Sequence, residues 1–92
     1  MGTRDVPSQT VNAIAIDPIV PQNVTLAGPS GLFRSKDGGL TWVALKVRLD
    51  ATPLALTLDP RRPATLFALL ANGTMLRSDD SGDSWVSRQI SR

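Results

Sequence analysis

The chain has 92 residues, 41% of them hydrophobic, with ten basic side chains against eight acidic ones for a formal net charge of +2; that suffices for one domain at most and is too little charge to imply a nucleic-acid partner. It contains no cysteine, histidine, tyrosine or glutamate, which excludes disulfides, thiolate ligands and the commonest catalytic base and metal ligand. Residues 1–9 lack the apolar stretch of a signal peptide, and no apolar run approaches the roughly 20 residues that cross a bilayer, so the chain reads as soluble, with no membrane partner and no assignable compartment.

The elements then follow in chain order. Val11 to Asp17 alternates and stops at Asp17-Pro18, where proline supplies no donor to a ladder, and this predicts a first strand. Val24–Ala27 and Leu32–Ser35 predict the next two, Lys36–Leu40 a turn, and Thr41 through Val47 a fourth strand. The same order returns as Leu54–Leu58, Leu66–Leu70, Met75–Ser78 and Ser84–Gln89. Asn72-Gly73, between the second and third of these, predicts a type I′ hairpin turn, since both residue types tolerate positive φ. Leu66-Phe-Ala-Leu-Leu-Ala71 is the nearest competitor for a helix, but it is short and occupies a strand position of the repeat.

A repeat is explicit in the motifs. Ser35-Lys-Asp37-Gly-Gly39-Leu-Thr41-Trp42 and Ser78-Asp-Asp80-Ser-Gly82-Asp-Ser84-Trp85 share the pattern S-x-D-x-G-x-[ST]-W at a spacing of 43, and Asp17-Pro18-x-x-Pro21 returns as Asp59-Pro60-x-x-Pro63 at a spacing of 42. One residue was therefore inserted between the two motifs. It falls where Gly28-Pro29-Ser30-Gly31 faces Ala71-Asn72-Gly73-Thr74, which marks an exposed turn. A period in the low forties made of four short strands is the signature of a propeller blade. The fold class expected is all-β: two four-stranded antiparallel blades, with residues 1–10 as an N-terminal overlap segment, 11–47 as the first blade and 48–92 as the second.

These residues resemble the Asp-box (BNR) repeats of sialidases, sortilin-type receptors and photosystem II assembly-factor propellers, over Val11 to Val86. Ser84 departs from the usual threonine, and Ser81 stands where the first copy has Gly38. The box residues Ser35, Asp37, Gly39, Thr41 and Trp42, with Ser78, Asp80, Gly82, Ser84 and Trp85, have local work to do: the aspartate accepts backbone hydrogen bonds, the glycine supplies an unusual φ, and the tryptophan buries a large ring. The resemblance implies that this turn lies away from the ligand-binding face.

Chemistry is absent by inventory. The sialidase reaction that the resemblance brings to mind needs a tyrosine nucleophile assisted by glutamate, and the chain has neither. Asp79, Asp80 and Asp83 are superficially like a calcium loop, but the first copy offers only Asp37. No catalysis, metal or cofactor is expected. What is expected is self-association, because two blades leave apolar faces at both ends of the stack, and a ring of identical chains would cover them: six blades as a trimer by preference, eight as a tetramer next. The ligand face of such a ring would carry Ser30, Arg48, Asp50, Asn72 and Thr74, with Pro29 and Thr52 beside them. The function expected is a scaffold or a protein- or ligand-binding ring. The alternatives are a small oligomeric lectin and an excised or engineered half-propeller with no activity beyond assembly.

Overall fold

The computed structural model describes residues 11–89, so the overlap segment 1–10 and the last three residues lie outside the described residues. Eight strands form two antiparallel meanders. β1 (Ala13–Ile16), β2 (Val24–Gly28), β3 (Gly31–Ser35) and β4 (Val43–Ala44) make the first sheet, and β5 (Pro53–Asp59), β6 (Arg62–Leu70), β7 (Thr74–Ser78) and β8 (Val86–Gln89) make the second, each in sequential order. Leu66–Leu70 lies within β6, where pairing to both neighbouring strands overrides the helix preference of its leucines and alanines.

Alternation sorts the side chains onto two faces. On what we call the front face of the first sheet, Ile14 lies beside Leu26 and Phe33, and Ile16 beside Val24; on its back face, Ala13 lies beside Ala27 and Leu32, and Thr25 beside Arg34. The second sheet repeats this, with Leu56, Ala68 and Leu76 abreast on the front and Thr57, Phe67 and Arg77 on the back. The two sheets stack in one sense: Ala27 and Leu32 from the back of the first join Ala68, Leu70 and Leu76 from the front of the second in one buried cluster. The connection after β4 is sandwiched into this joint, since Leu45, Val47, Leu49 and Ala51 all pack against the cluster. β5, at the edge of the second sheet, lies against β1 and β2. A second cluster, Val24, Leu26, Phe33 and Trp42, belongs to the front of the first sheet.

Several local outcomes differ from the sequence reading, among them β6, which begins at Arg62 rather than Leu66, and β8, which begins at Val86 rather than Ser84. The fourth strand of the first sheet is only Val43–Ala44 rather than Thr41 through Val47, because the chain beyond Leu45 leaves β3 to line the joint between sheets. The second hairpin is not type I′. Gly73 has φ +87°, Asn72 is not in the positive-φ region, and the Gly73 amide donates to the Leu70 carbonyl at 3.1 Å, the geometry of a three-residue loop whose turn is followed by a left-handed glycine. The corresponding loop in the first sheet is two residues, Pro29-Ser30, between the paired Gly28 and Gly31, so the extra residue of the repeat sits in this hairpin. Lastly, Ser81, at the position of Gly38, keeps the turn by adopting φ +63° itself.

Candidate functional site

The two S-x-D-x-G-x-[ST]-W turns have one geometry, built from the serine outward. The Ser35 hydroxyl, buried at the end of β3, accepts from the Gly39 amide at 2.8 Å and donates to Asp37 Oδ1 at 2.7 Å. Asp37 then accepts from the Thr41 amide at 2.9 Å and the Thr41 hydroxyl at 2.6 Å, and the Trp42 indole closes the turn on the Gly39 carbonyl at 3.0 Å. Ser78, Asp80, Gly82, Ser84 and Trp85 repeat every one of these bonds within 0.1 Å. Replacing threonine by Ser84 costs the turn nothing, because only the hydroxyl is used.

Asp37 and Asp80 are both held down at about 2, chiefly by the Thr41 and Ser84 hydroxyls, then by the amides of those residues and the Ser35 and Ser78 hydroxyls. A depressed carboxylate contributes stability that is complete above its unfolded pKa, about 3.9, and is lost as pH falls through the folded value. Thermal midpoints are therefore expected to hold steady above about pH 5 and to fall between about pH 4 and pH 2. Asp37→Asn and Asp80→Asn should lower the neutral-pH midpoint and flatten that acid slope; an unchanged slope in the double variant would show that other groups govern it.

The turns share a rim with the Asp-Pro turns, because the Gly38 amide donates to the Gln22 carbonyl and the Ser81 amide to the Ala64 carbonyl, at 2.9 and 2.8 Å. Asp17 accepts from the amides of Ile19 and Val20, at 2.8 and 3.0 Å, and its carboxyl is lowered, chiefly by the Val20 amide. Asp59 accepts from the Arg61 amide at 2.9 Å. Every one of these aspartates is engaged within its own turn.

The opposite rim carries the second set of expected residues, where the Ala71 amide reaches the Thr52 carbonyl at 2.8 Å. Arg48, Asp50 and Thr74 line one hollow of about 220 Å³ there, which also includes Lys46, Ser87 and Trp85. Ser30 and Asn72 do not line it; both are exposed at the hairpin tips, and Asn72 Oδ1 accepts from the Thr74 amide at 3.1 Å. Thr74 itself is buried, which leaves Arg48 and Asp50 as the accessible members of the group that line the hollow. Lys46 and Ser87 went unnoticed in the sequence because nothing in the repeat distinguishes them.

The sequence reading also missed two polar fastenings between the sheets. Arg34 Nη1 lies 3.7 Å from Asp83 Oδ1, and Asn12 Nδ2 donates to the Pro53 carbonyl at 2.9 Å. Asp79, the third carboxylate of the loop that superficially resembled a calcium site, pairs with Arg77 at 3.2 Å and accepts from the Thr65 hydroxyl at 3.1 Å. Among the described residues, no group of three or more acidic side chains is arranged to hold a metal ion.

Two four-stranded antiparallel meanders stacked back to front are β-propeller blades, and solved structures match them as such. No family model matches the chain, and no curated protein matches it. It is similar to YCF48 from Cyanidioschyzon merolae, with a TM-score of 0.76 and 20% identity over 94% of this chain and 26% of that one. Also similar are YCF48 bound to D1 peptide (TM-score 0.70, 17% identity, 86% of this chain and 26% of that one) and the GH74 xyloglucanase from Xanthomonas campestris (0.74, 22%, 94% and 15%). The chain thus spans about a quarter or less of each of these propellers.

Proposed function

We propose that the chain is a non-catalytic Asp-box propeller module whose ring is completed by further copies of itself, as a trimer of six blades by preference or a tetramer of eight, and which binds protein or peptide on the rim opposite the boxes. One observation carries this reading: the joint between the two blades uses the back of one and the front of the other, so among the described residues one front and one back have no partner sheet, and each keeps apolar side chains at least partly in solvent, although Val24, Leu26 and Phe33 within that front are buried beside Trp42. Ile14 and Ile16 on the unused front are each 53% exposed. The unused back holds an apolar hollow of about 270 Å³ lined by Ala55, Thr57, Phe67, Leu69 and Met75. An isolated domain of this size rarely leaves such patches uncovered at both ends.

The absence of catalysis in this proposal is supported by the inventory of side chains and by the engagement of the turn aspartates within their own hydrogen bonds. The binding rim is supported by the hollow that gathers Lys46, Arg48 and Asp50, which a ring would present once per chain and so several times around one axis. A structural neighbour bound to a D1 peptide agrees in kind with a peptide ligand. Parallel peptide-library and glycan-array screens test this part. Peptide hits that weaken in Arg48→Ala and Asp50→Ala are expected, whereas glycan hits without peptide hits would replace the reading with a lectin.

A further inference from the structure

The internal joint between the blades also shows how the unused faces would meet, and it is fastened by polar groups at two points: Asn12 to the Pro53 carbonyl, and Arg34 to Asp83. Stepping each position by the repeat gives its counterpart at a joint between chains. Leu54 stands for Asn12, Val11 for Pro53, Arg77 for Arg34 and Leu40 for Asp83. Three of the four are exposed hydrophobics, with Leu54 at 50%, Val11 at 48% and Leu40 at 65%. The fourth, Arg77, has its charge met by Asp79 of its own blade, at a position where the first blade carries Lys36, and its guanidinium sits 5.6 Å from the centre of the Phe67 ring. Where the joint is internal its rim is polar and cross-linked. Where it is open, the same rim positions are apolar or already neutralised, which suits burial against another apolar face and leaves no charge to be stranded.

We infer that the open back of the second blade seats on the open front of the first blade of another copy, head to tail, in the register of the internal joint. Ile14 and Ile16 then face the hollow formed by Phe67, Leu69 and Met75, and Leu40 lies against the Arg77 stem. This inference rests on the self-assembly proposed above and adds its polarity and register. A head-to-tail contact is heterologous, so each chain offers two different surfaces and association continues until the ring closes.

Complementary lesions test it. Ile14→Asp damages only the front contact and Met75→Asp only the back contact, and both positions lie outside the internal joint. By light scattering on the full chain at micromolar concentration, each variant alone is expected to run as one chain, and an equimolar mixture as a complex of two chains that grows no further. A variant that dimerises alone would overturn the inference in favour of like-on-like pairing. A mixture that stays monomeric while the unaltered chain oligomerises would overturn the polarity and leave self-assembly standing. An unaltered chain that is monomeric would overturn both.

Because an aspartate at the half-buried Met75 can disturb folding, two exposed positions on opposite faces supply a second route. The chain has no cysteine of its own, so Leu40→Cys mixed with Arg77→Cys and treated with a short bis-maleimide is expected to give a mixed cross-linked pair, with far less product from either variant alone. Cross-linking within each variant but not between them would contradict the register.

Discussion

Leu32→Ala is expected to destabilise the chain by about 2–5 kcal/mol, toward the upper end of that range. Leu32 is only 1% exposed and enters the blade joint from the back of the first sheet. Its neighbours there include Ala27 and Ala68, whose methyl groups are too short to move into the space that the lost side chain would leave. The cavity therefore persists, and its cost adds to the lost transfer energy. For a domain of this size the loss is a large share of a total on the order of 5–15 kcal/mol. Urea midpoints measure it, with the slope of the transition unchanged if the fold survives. Ile14→Ala is the informative partner: in a lone chain its half-exposed side chain should cost well under 1 kcal/mol, within the range of surface substitutions, while in a closed ring it should approach a core truncation and depend on protein concentration.

Gly82→Val is expected to cost about 2–5 kcal/mol, from two separate causes. Gly82 has φ +97°, a conformation that a β-branched residue reaches only with strain of about 1–3 kcal/mol. A Cβ there would also stand 2.8 Å from Leu45 Cδ1, a side chain of the other blade's connection that is itself packed in the joint, and overpacking of this kind adds a similar amount. Gly39 separates the two. It has the same φ of +97°, but a Cβ on it would meet only Trp42, at 3.6 Å. Gly39→Val should therefore show the backbone strain with little of the clash, and thermal unfolding of both variants side by side reads the difference. Equal losses would mean that Leu45 yields and the joint is looser than its packing indicates.

Much of this structure was legible because its signals are local. A strand announces itself by alternation, and the box by residue types that bond one another within a few positions, so the role of Asp37 as an acceptor of backbone hydrogen bonds follows from residue type and spacing, while the Thr41 hydroxyl's bond to it does not. The inserted residue showed as a change of spacing and occupies a hairpin, where the loop lengthens from two residues to three. Asn72-Gly73 was misread because a dipeptide reports tolerance for positive φ and not loop length, and the extra residue selected the other turn. The Arg34–Asp83 and Asn12–Pro53 fastenings were invisible for a different reason: they join residues about 40 or more positions apart whose meeting depends on how one sheet stacks on the other. Nor could composition show that Arg48 and Asp50 share a hollow with Lys46 while Ser30 and Asn72 stand apart from it.

The apolar faces expected at both ends of the stack resolve residue by residue in the first blade. Leu32 faces the joint, Val24 and Leu26 are buried on the far side beside Phe33 and Trp42, and Ile14 and Ile16 stay half in solvent. Self-association turns on these last two and on the hollow across the stack from them. The decisive measurement is the mass of the unaltered chain by light scattering after size exclusion at micromolar concentration. Closure by copies predicts one discrete species at three times, or next at four times, the 9.8 kDa of a single chain; a folded, β-rich species of 9.8 kDa that persists at that concentration would contradict it.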